Sequence, residues 1–303
     1  MSRKIRVLFY LFVGLIASES RAEVIRYTTW NLQWLATPQH GKLISPNRGE
    51  NDIGLLRKYF IKTSADIMAF QEVNDVSIIS KVVGSDYKVI LSQRGKAENQ
   101  IHQFSDINQY TGFAVKKSFK VRDHKDIQLD KRLKSRLRFA SYIELTAPSK
   151  QSVHLLSVHL KAGCRKNYQE KRNCWILKEQ LINLNSWIRE REKYQHDYIV
   201  LGDFNSQMAD EAKWAWHLIS QKTQAVLTSQ NTTAQCYVRS KTKRTTVFKY
   251  KSIIDHIIIS SSQTFTTAKQ LPFNTKDVRQ YELSDHCPVT IEASYTSMNS
   301  NHE

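Results

Sequence analysis

Apolar residues in this chain gather in short runs, and most runs end on one polar or charged side chain. Tyr198-Ile199-Val200-Leu201-Gly202-Asp203-Phe204-Asn205 shows the pattern best: a continuous apolar stretch that delivers an acid and an amide two residues apart. Such a run predicts a buried strand. If the chain stays extended through Phe204, Asp203 and Asn205 share one side. Gly202 lets the backbone open at the sheet edge, where ligands of α/β sheets sit. The same pattern predicts strands from Val24 to Asn31, Ala65 to Val73, Tyr110 to Val115, Phe139 to Leu145, Val153 to His159, Ser252 to Ile259 and Val289 to Ala293.

Between these runs the apolar period changes to that of a helix. Ile53, Leu56, Tyr59 and Phe60 would share one face of a helix from about residue 51 to 62. A shorter helix follows, capped by Asn74 and running through Val83. The longest spans about 171 to 193, where Leu177, Leu181, Leu184 and Ile188 form a stripe suited to packing on a sheet. Another is expected around 210 to 218. Pro38, Gly41, Pro46, Asn47 and Gly49 mark one loop, and the polar stretch from Ser92 to Gln109 marks a second. Strands mixed with helices along the whole chain argue an α/β layered architecture, with edge hairpins making the sheets mixed.

The 303 residues contain no linker or internal repeat that would support a split, so the pattern implies one domain. The N-terminal residues stand apart. Arg3, Lys4 and Arg6 precede an apolar stretch from Val7 to Ile16, and Ser20-Arg21-Ala22 offers a small-x-small cleavage site. Residues 1–22 therefore read as an export signal cut after Ala22, leaving 23–303 as the mature domain; an uncleaved anchor is the alternative. Without Arg3, Lys4, Arg6, Arg21 and Glu19, the 45 basic and 28 acidic residues fall to 41 and 27, or +14. A balance this basic attracts polyanions. The expected product is a monomer without a membrane anchor, in a periplasm or outside the cell. Export permits disulfides. Cys164 and Cys174 are close enough in sequence to bridge the loop between them, while Cys236 and Cys287 form a second bridge or stay reduced.

Candidate chemistry sits where the apolar runs stop. Asn31, Glu72, His159, Asp203 with Asn205, Asp255, and Asp285 with His286 all lie at or beside strand ends. Burying such groups costs energy unless they are paired or hold a metal. Gathered on one sheet edge, they would supply oxygen ligands for a hard cation and two imidazoles with carboxylate neighbours, the equipment for metal-assisted hydrolysis of a phosphate ester. Asp255 needs a partner, since it stands inside Ile-Ile-Asp-His-Ile-Ile-Ile. His256 alternates to the opposite face and reads as structural, and His154 reads as packing. Tyr110 packs or reaches a phosphate, and Cys287 reads as core or disulfide because nothing nearby would make it a thiolate. Basic residues recur from Lys116 to Arg138 and at Arg239, Lys241, Lys243 and Arg244, which suits a phosphodiester track. Tyr237, Phe248 and Tyr250 either stack bases or anchor their loop.

Six segments in order resemble the endonuclease/exonuclease/phosphatase superfamily of deoxyribonuclease I-like enzymes. They are Thr29-Trp30-Asn31, Phe70-Gln71-Glu72-Val73, Ser157-Val158-His159-Leu160, Gly202-Asp203-Phe204-Asn205, Ile254-Asp255-His256 and Ser284-Asp285-His286-Cys287-Pro288-Val289. The resemblance implies a four-layer α/β/β/α sandwich with two packed mixed sheets and a divalent-metal site at the strand ends. It makes Glu72 the chief metal ligand, with Asn31 and Asp285 near it. Asp203 then positions or deprotonates the attacking water, and Asn205 holds that water or a phosphoryl oxygen. His286 lies on the scissile phosphate, oriented by Asp255, and His159 contacts the phosphate from the other side. Either Asp203 or His286 is the base. Arg138 falls where the family has a phosphate-binding arginine. Magnesium is the implied ion, with manganese or calcium as alternatives. Asn108 stands where deoxyribonuclease I has a glutamate that partners the first histidine; an amide there can orient His159 but cannot stabilise its cation. The implied function is an exported nuclease acting on DNA, or on RNA. The alternatives are a phospholipid phosphodiesterase of sphingomyelinase type and a non-catalytic polyanion-binding module.

Overall fold

A computed structural model describes residues 23–37, 46–147, 151–209, 214–240 and 246–295. The expected export signal lies outside them, as do Lys241, Lys243 and Arg244. In chain order the first half contains β1 (Glu23–Leu35), α1 (Glu50–Thr63), β2 (Ile67–Val73), α2 (Val76–Val83), β3 (Tyr87–Leu91), β4 (Tyr110–Lys116), β5 (Lys120–Asp123), β6 (Ser141–Thr146) and β7 (Ser152–His159). The second half contains α3 (Arg172–Lys193), β8 (Asp197–Asp203), α4 (Trp214–Ser220), β9 (Ala225–Leu227), β10 (Tyr237–Arg239), β11 (Val247–Lys249), β12 (Asp255–Ser260), β13 (Thr264–Phe265), β14 (Lys269–Gln270), α5 (Thr275–Gln280) and β15 (Val289–Tyr295).

Two mixed sheets form. One runs β13-β15-β1-β2-β4-β3 and the other β5-β6-β7-β8-β12-β9. Each has one parallel pair near its middle, β1 with β2 and β7 with β8, while the remaining pairs are antiparallel. Parallel pairing delivers two strand C-termini side by side, and this is what brings the polar strand ends together. Ile25, Tyr27, Ile67, Ala69, Ile199, Leu201, Ile257 and Ile291 interlock between the sheets. Alternate residues of the same strands face outward: Trp30, Met68 and Phe70 pack under α1 and α2, and Val158, Val200 and Ile258 pack under α3 and α4. Both faces of the central strands are therefore covered, which explains why they read as unbroken apolar runs. This is the expected four-layer sandwich.

Local chemistry moved several boundaries. α2 is capped by Asp75, whose Oδ1 accepts from Ile78 N–H at 3.0 Å. The expected cap, Asn74, instead accepts from Asn108 N–H at 2.8 Å. β1 continues past Asn31 to Leu35, because Gln33 and Trp34 take left-handed conformations (φ 46° and 51°) that bend the strand without ending its pairing. The stretch from Ser92 to Gln109 folds into two short 3₁₀ turns around buried Arg94, whose guanidinium donates to the carbonyls of His102, Arg136 and Gln109. Gly202 is needed for close approach: a Cβ there would lie 2.0 Å from the Val158 carbonyl oxygen. Both pairs of cysteines are bridged, Cys164 to Cys174 and Cys236 to Cys287.

Candidate active site

Register alone places most of the site. His159 pairs with Asp203 across β7 and β8, and Asp203 pairs with Asp255 across β8 and β12. On the facing sheet Asn31 pairs with Gln71, so Glu72 follows one residue beyond, at φ 59°. The sheets are tied beneath this edge by a polar bridge. Gln71 donates to the Ser157 hydroxyl at 3.2 Å, and that hydroxyl donates to the Phe70 carbonyl.

The Asn31 amide donates to Glu72 Oε1 at 3.1 Å and to Asp203 Oδ2 at 3.0 Å, linking a carboxylate from each sheet. Its oxygen accepts from Gln33 N–H at 2.9 Å. The expected ligand oxygen is thus turned away, and Asn31 braces the two acids instead. Trp34 N–H, positioned by the left-handed bend, holds Glu72 Oε2 at 3.1 Å. His159 Nε2 lies 3.6 Å from Glu72 and 3.5 Å from Asp203. His286 Nδ1 is bonded to Asp255 Oδ2 at 2.7 Å, and its Nε2 points between Asp203 and Asp285, 3.9 Å from each. The His286 loop is pinned through Trp30, which donates to the His286 carbonyl, and through Ser284, which donates to the Asn31 carbonyl.

Asn205 is near Asp203 for a different reason from the one its spacing suggested. The strand ends at Asp203, and Asn205 turns to φ 51°. Its N–H donates to Asp203 Oδ1 at 2.8 Å and its amide to Asp203 Oδ2 and the Leu160 carbonyl. A side-chain turn, not strand alternation, makes the contact. Asn108 does not orient His159, because its amide is spent on both backbone groups of Phe104.

Burial raises Asp203 to about 7; His286 opposes the rise, and Asp255 and Glu72 add to it. Burial by itself would lower His286, yet Asp255, Asp203 and the short hydrogen bond hold it well above its ordinary value. His159 is driven well below its ordinary value by burial first, then by Arg138 and His286. Burial lowers Arg138, with Glu72 and Asp203 opposing. The arginine lines the cleft and donates to the Leu160 carbonyl at 2.7 Å.

These groups face an open cleft of about 580 Å³. Ligand atoms of Glu72, His159 and Asp203 lie within 4.8 Å of one another, and so do those of Asp203, Asp255 and His286. Asp285 lines the cleft but belongs to neither group. Among the described residues, three buried polar atoms at this edge have no protein partner: Asp255 Oδ1, His159 Nδ1 and Arg138 Nε. A dense acidic edge with unpartnered donors and acceptors fits a hard cation and an oxyanion.

Tyr110 is buried under the Arg94 guanidinium, 4.9 Å from its ring centroid, and does not line the cleft. Arg239 reaches the cleft wall, but its guanidinium donates to the Val278 and Tyr281 carbonyls and pairs with Glu282. That commitment ties β10 to α5 and takes the cation away from a phosphate. Sequence reasoning missed Gln33, Arg48 and Arg165. Gln33 Oε1 accepts from Asp285 N–H, and Arg48 clamps the carbonyls of Gln33, Glu282 and Leu283. Arg165 lines the cleft directly. Its signal was available, since Arg165 and Lys166 follow Cys164 inside the bridged loop.

No protein-family model matches the sequence, and no curated protein matches it. Solved structures do. An endonuclease/exonuclease/phosphatase family protein from Bacteroides thetaiotaomicron is similar at TM-score 0.62 and 14% identity, over 94% of this chain and 99% of that one. A mannosyl-6-phosphatase from the same organism superimposes at TM-score 0.61 and 14% identity, over 89% and 100% of the two chains. The human Nocturnin catalytic domain, solved with a bound sulfate anion, gives 0.61 and 18%, over 91% and 98%. The chain therefore has the deoxyribonuclease I-like fold of the endonuclease/exonuclease/phosphatase proteins.

Proposed function

We propose that the protein is an exported, divalent-metal-dependent phosphodiesterase that hydrolyses nucleic acid, with DNA as its principal substrate. The observation that carries this reading is the convergence of Glu72, His159, Asp203, Asp255 and His286 on one cleft, in two ligand groups that share Asp203. Glu72 holds the ion, and Asp285 lines the same cleft. Magnesium suits these hard oxygen donors best, and manganese or calcium would meet the same ligands. Once bound, the ion offsets charge that develops on the phosphoryl oxygens.

The remaining steps belong to side chains. Asp255, with Asp203 and Asp285 beyond it, favours the His286 imidazolium, so His286 serves as a hydrogen-bond donor to a phosphoryl oxygen and not as a base. Asp203 is then the group that takes the proton of the attacking water, steadied by Asn31 and Asn205. Arg138 and His159, which both line the cleft, are the side chains left to hold the phosphate from the opposite wall. Two disulfides, and no helix among the described residues long and apolar enough to cross a membrane, fit the export part of the reading.

The test is supercoiled plasmid incubated with residues 23–303, with magnesium and with excess chelator. Nicking in magnesium, its loss in chelator, and inactive but folded Asp203→Asn and His286→Ala variants are expected. Activity near native in either variant would remove the role assigned to that residue. Faster turnover of sphingomyelin or of sugar phosphates than of DNA would overturn the substrate class.

A further inference from the structure

The bridged loop between β7 and α3 has a composition the catalytic reading does not use. From Lys161 to Lys178 this loop and the first two turns of α3 carry six basic residues (Lys161, Arg165, Lys166, Lys171, Arg172, Lys178) against one acid, Glu170. Residues 165–172 are all exposed. Exposure does not mean looseness here. The Cys164–Cys174 bridge closes the loop, the Arg165 carbonyl accepts from Gln207 N–H at 2.8 Å, and the Lys166 carbonyl accepts from Trp214 Nε1 at 2.8 Å. Gln207 belongs to the turn that follows Asp203 and Asn205, so the loop is fixed to the site itself.

The loop also presents an aromatic surface. Tyr168 is partly exposed, meets Trp214 edge-on at 5.4 Å between ring centroids, and lies 5.5 Å from the Lys178 ammonium. The β10–β11 hairpin and the residue after it present a second one. Tyr250 lines the cleft, and Phe248, 42% exposed, stands edge-on to it at 5.3 Å. Arg165 and Tyr250 line the same cleft.

From this we infer that a single-stranded polynucleotide crosses the cleft between these two surfaces. Its bases stack on Phe248 and Tyr250 at one side and on Tyr168 at the other, and its flanking phosphates lie on Arg165, Lys166 and Arg172. The inference rests on the phosphodiesterase reading and adds the form of the substrate. The exposed rings of Tyr168 and Phe248 favour a single strand, because a duplex keeps its base faces stacked inside the helix. An anionic membrane shares the charge complementarity, but residues 165–173 include one aromatic and no aliphatic side chain to enter a bilayer.

The experiment measures binding without turnover. Residues 23–303, in excess chelator, are titrated against a fluorescent single-stranded 12-mer and a hairpin duplex, with anisotropy as the readout over a range of salt. Native protein should prefer the single strand by about tenfold or more. Replacing Tyr168 or Phe248 by Ala should weaken single-strand binding about fivefold or more for each stack removed. Lys166→Glu with Arg172→Glu should reduce the slope of log affinity against log salt by about 1.4, at about 0.7 for each phosphate of a single strand that is no longer neutralised. The charge-conserving pair Lys166→Arg with Arg172→Lys should restore both affinity and slope, which a folding defect would not allow. Equal affinity for strand and duplex would overturn the inference, as would aromatic variants that bind like native, or tighter binding to phosphatidylglycerol vesicles than to the strand. Native nicking of plasmid combined with any of those results would sink the strand track alone. Intact strand preference in a protein that cleaves nothing would sink the phosphodiesterase reading alone.

Discussion

Replacing Asp255 by Asn changes one atom in the buried pair that fixes His286. Asp255 Oδ2 and His286 Nδ1 are 2.7 Å apart, and the two side chains are only 4% and 14% exposed. Opposite charges about 4 Å apart interact by about 4 kcal/mol at an effective dielectric of about 20. Desolvation offsets part of this, and charge-assisted hydrogen bonds contribute about 1.5–3 kcal/mol net. If His286 donates to the phosphoryl oxygen as a cation, most of that is lost from transition-state binding, and about 2–3 kcal/mol corresponds to a fall in kcat/KM of roughly 30- to 150-fold. The pH profile should move too. Asp255 raises His286, so its amide lets the imidazolium lose its proton at lower pH, and the alkaline limb of kcat/KM shifts downward. The assay is initial-rate hydrolysis of plasmid DNA in magnesium from about pH 5.5 to about pH 9.5, with thermal denaturation as the folding control. The Tm should fall by no more than about 12 °C, since loss of the pair's about 2–3 kcal/mol corresponds to about 2–4 °C for each kcal/mol in a chain this long. A fall smaller than threefold with an unmoved alkaline limb would refute the role given to the pair.

Other consequences are checked separately. His154, stacked on His196 at 4.5 Å and bonded to the Tyr142 hydroxyl, is lowered to about 4 by burial first, then by His196 and Arg191. Its folded pKa is below the unfolded value, so the stability it contributes is present above about pH 6.5 and is lost as pH falls towards 4. His154→Gln should recover about 2 kcal/mol of that acid-side loss after discounting for solvent screening, read as urea midpoints at about pH 7 and about pH 4.5. Ile257→Ala empties a fully buried site between the sheets and should cost about 2–5 kcal/mol of unfolding free energy in urea titrations. Gly202→Ala pushes a Cβ to 2.0 Å from the Val158 carbonyl oxygen, so the β7–β8 pair must separate and soluble yield should collapse. Magnesium should raise the Tm of native protein, and Glu72→Gln should remove most of that rise, measured by calorimetry without substrate.

Much of the site was legible because strand register depends on local pattern. The apolar runs before His159, Asp203 and Asp255 fix which residue ends each strand, and parallel or antiparallel pairing then sets those ends side by side. Asn205 shows where that logic stops. Its contact with Asp203 comes from a left-handed turn, which alternation along an extended strand cannot describe. Asn31 shows the same limit in its bonds: spacing placed it beside Glu72, but which end of the amide faces the acids depends on the bend at Gln33. Arg239 has the charge of a phosphate ligand, yet its donors are taken by carbonyls about 40 residues away in sequence.

By itself the sequence determined the layers, the strand ends that carry acids and imidazoles, and the basic character of the chain. Those properties follow from hydrophobic period and side-chain chemistry, which are local. Tertiary structure decided which polar groups satisfy one another: Asp255 with His286, Asn31 between Glu72 and Asp203, and Arg239 with Glu282 and the Val278 and Tyr281 carbonyls. A hydrogen bond or ion pair depends on distance and direction between segments far apart in the chain, and those are set only when the two sheets pack.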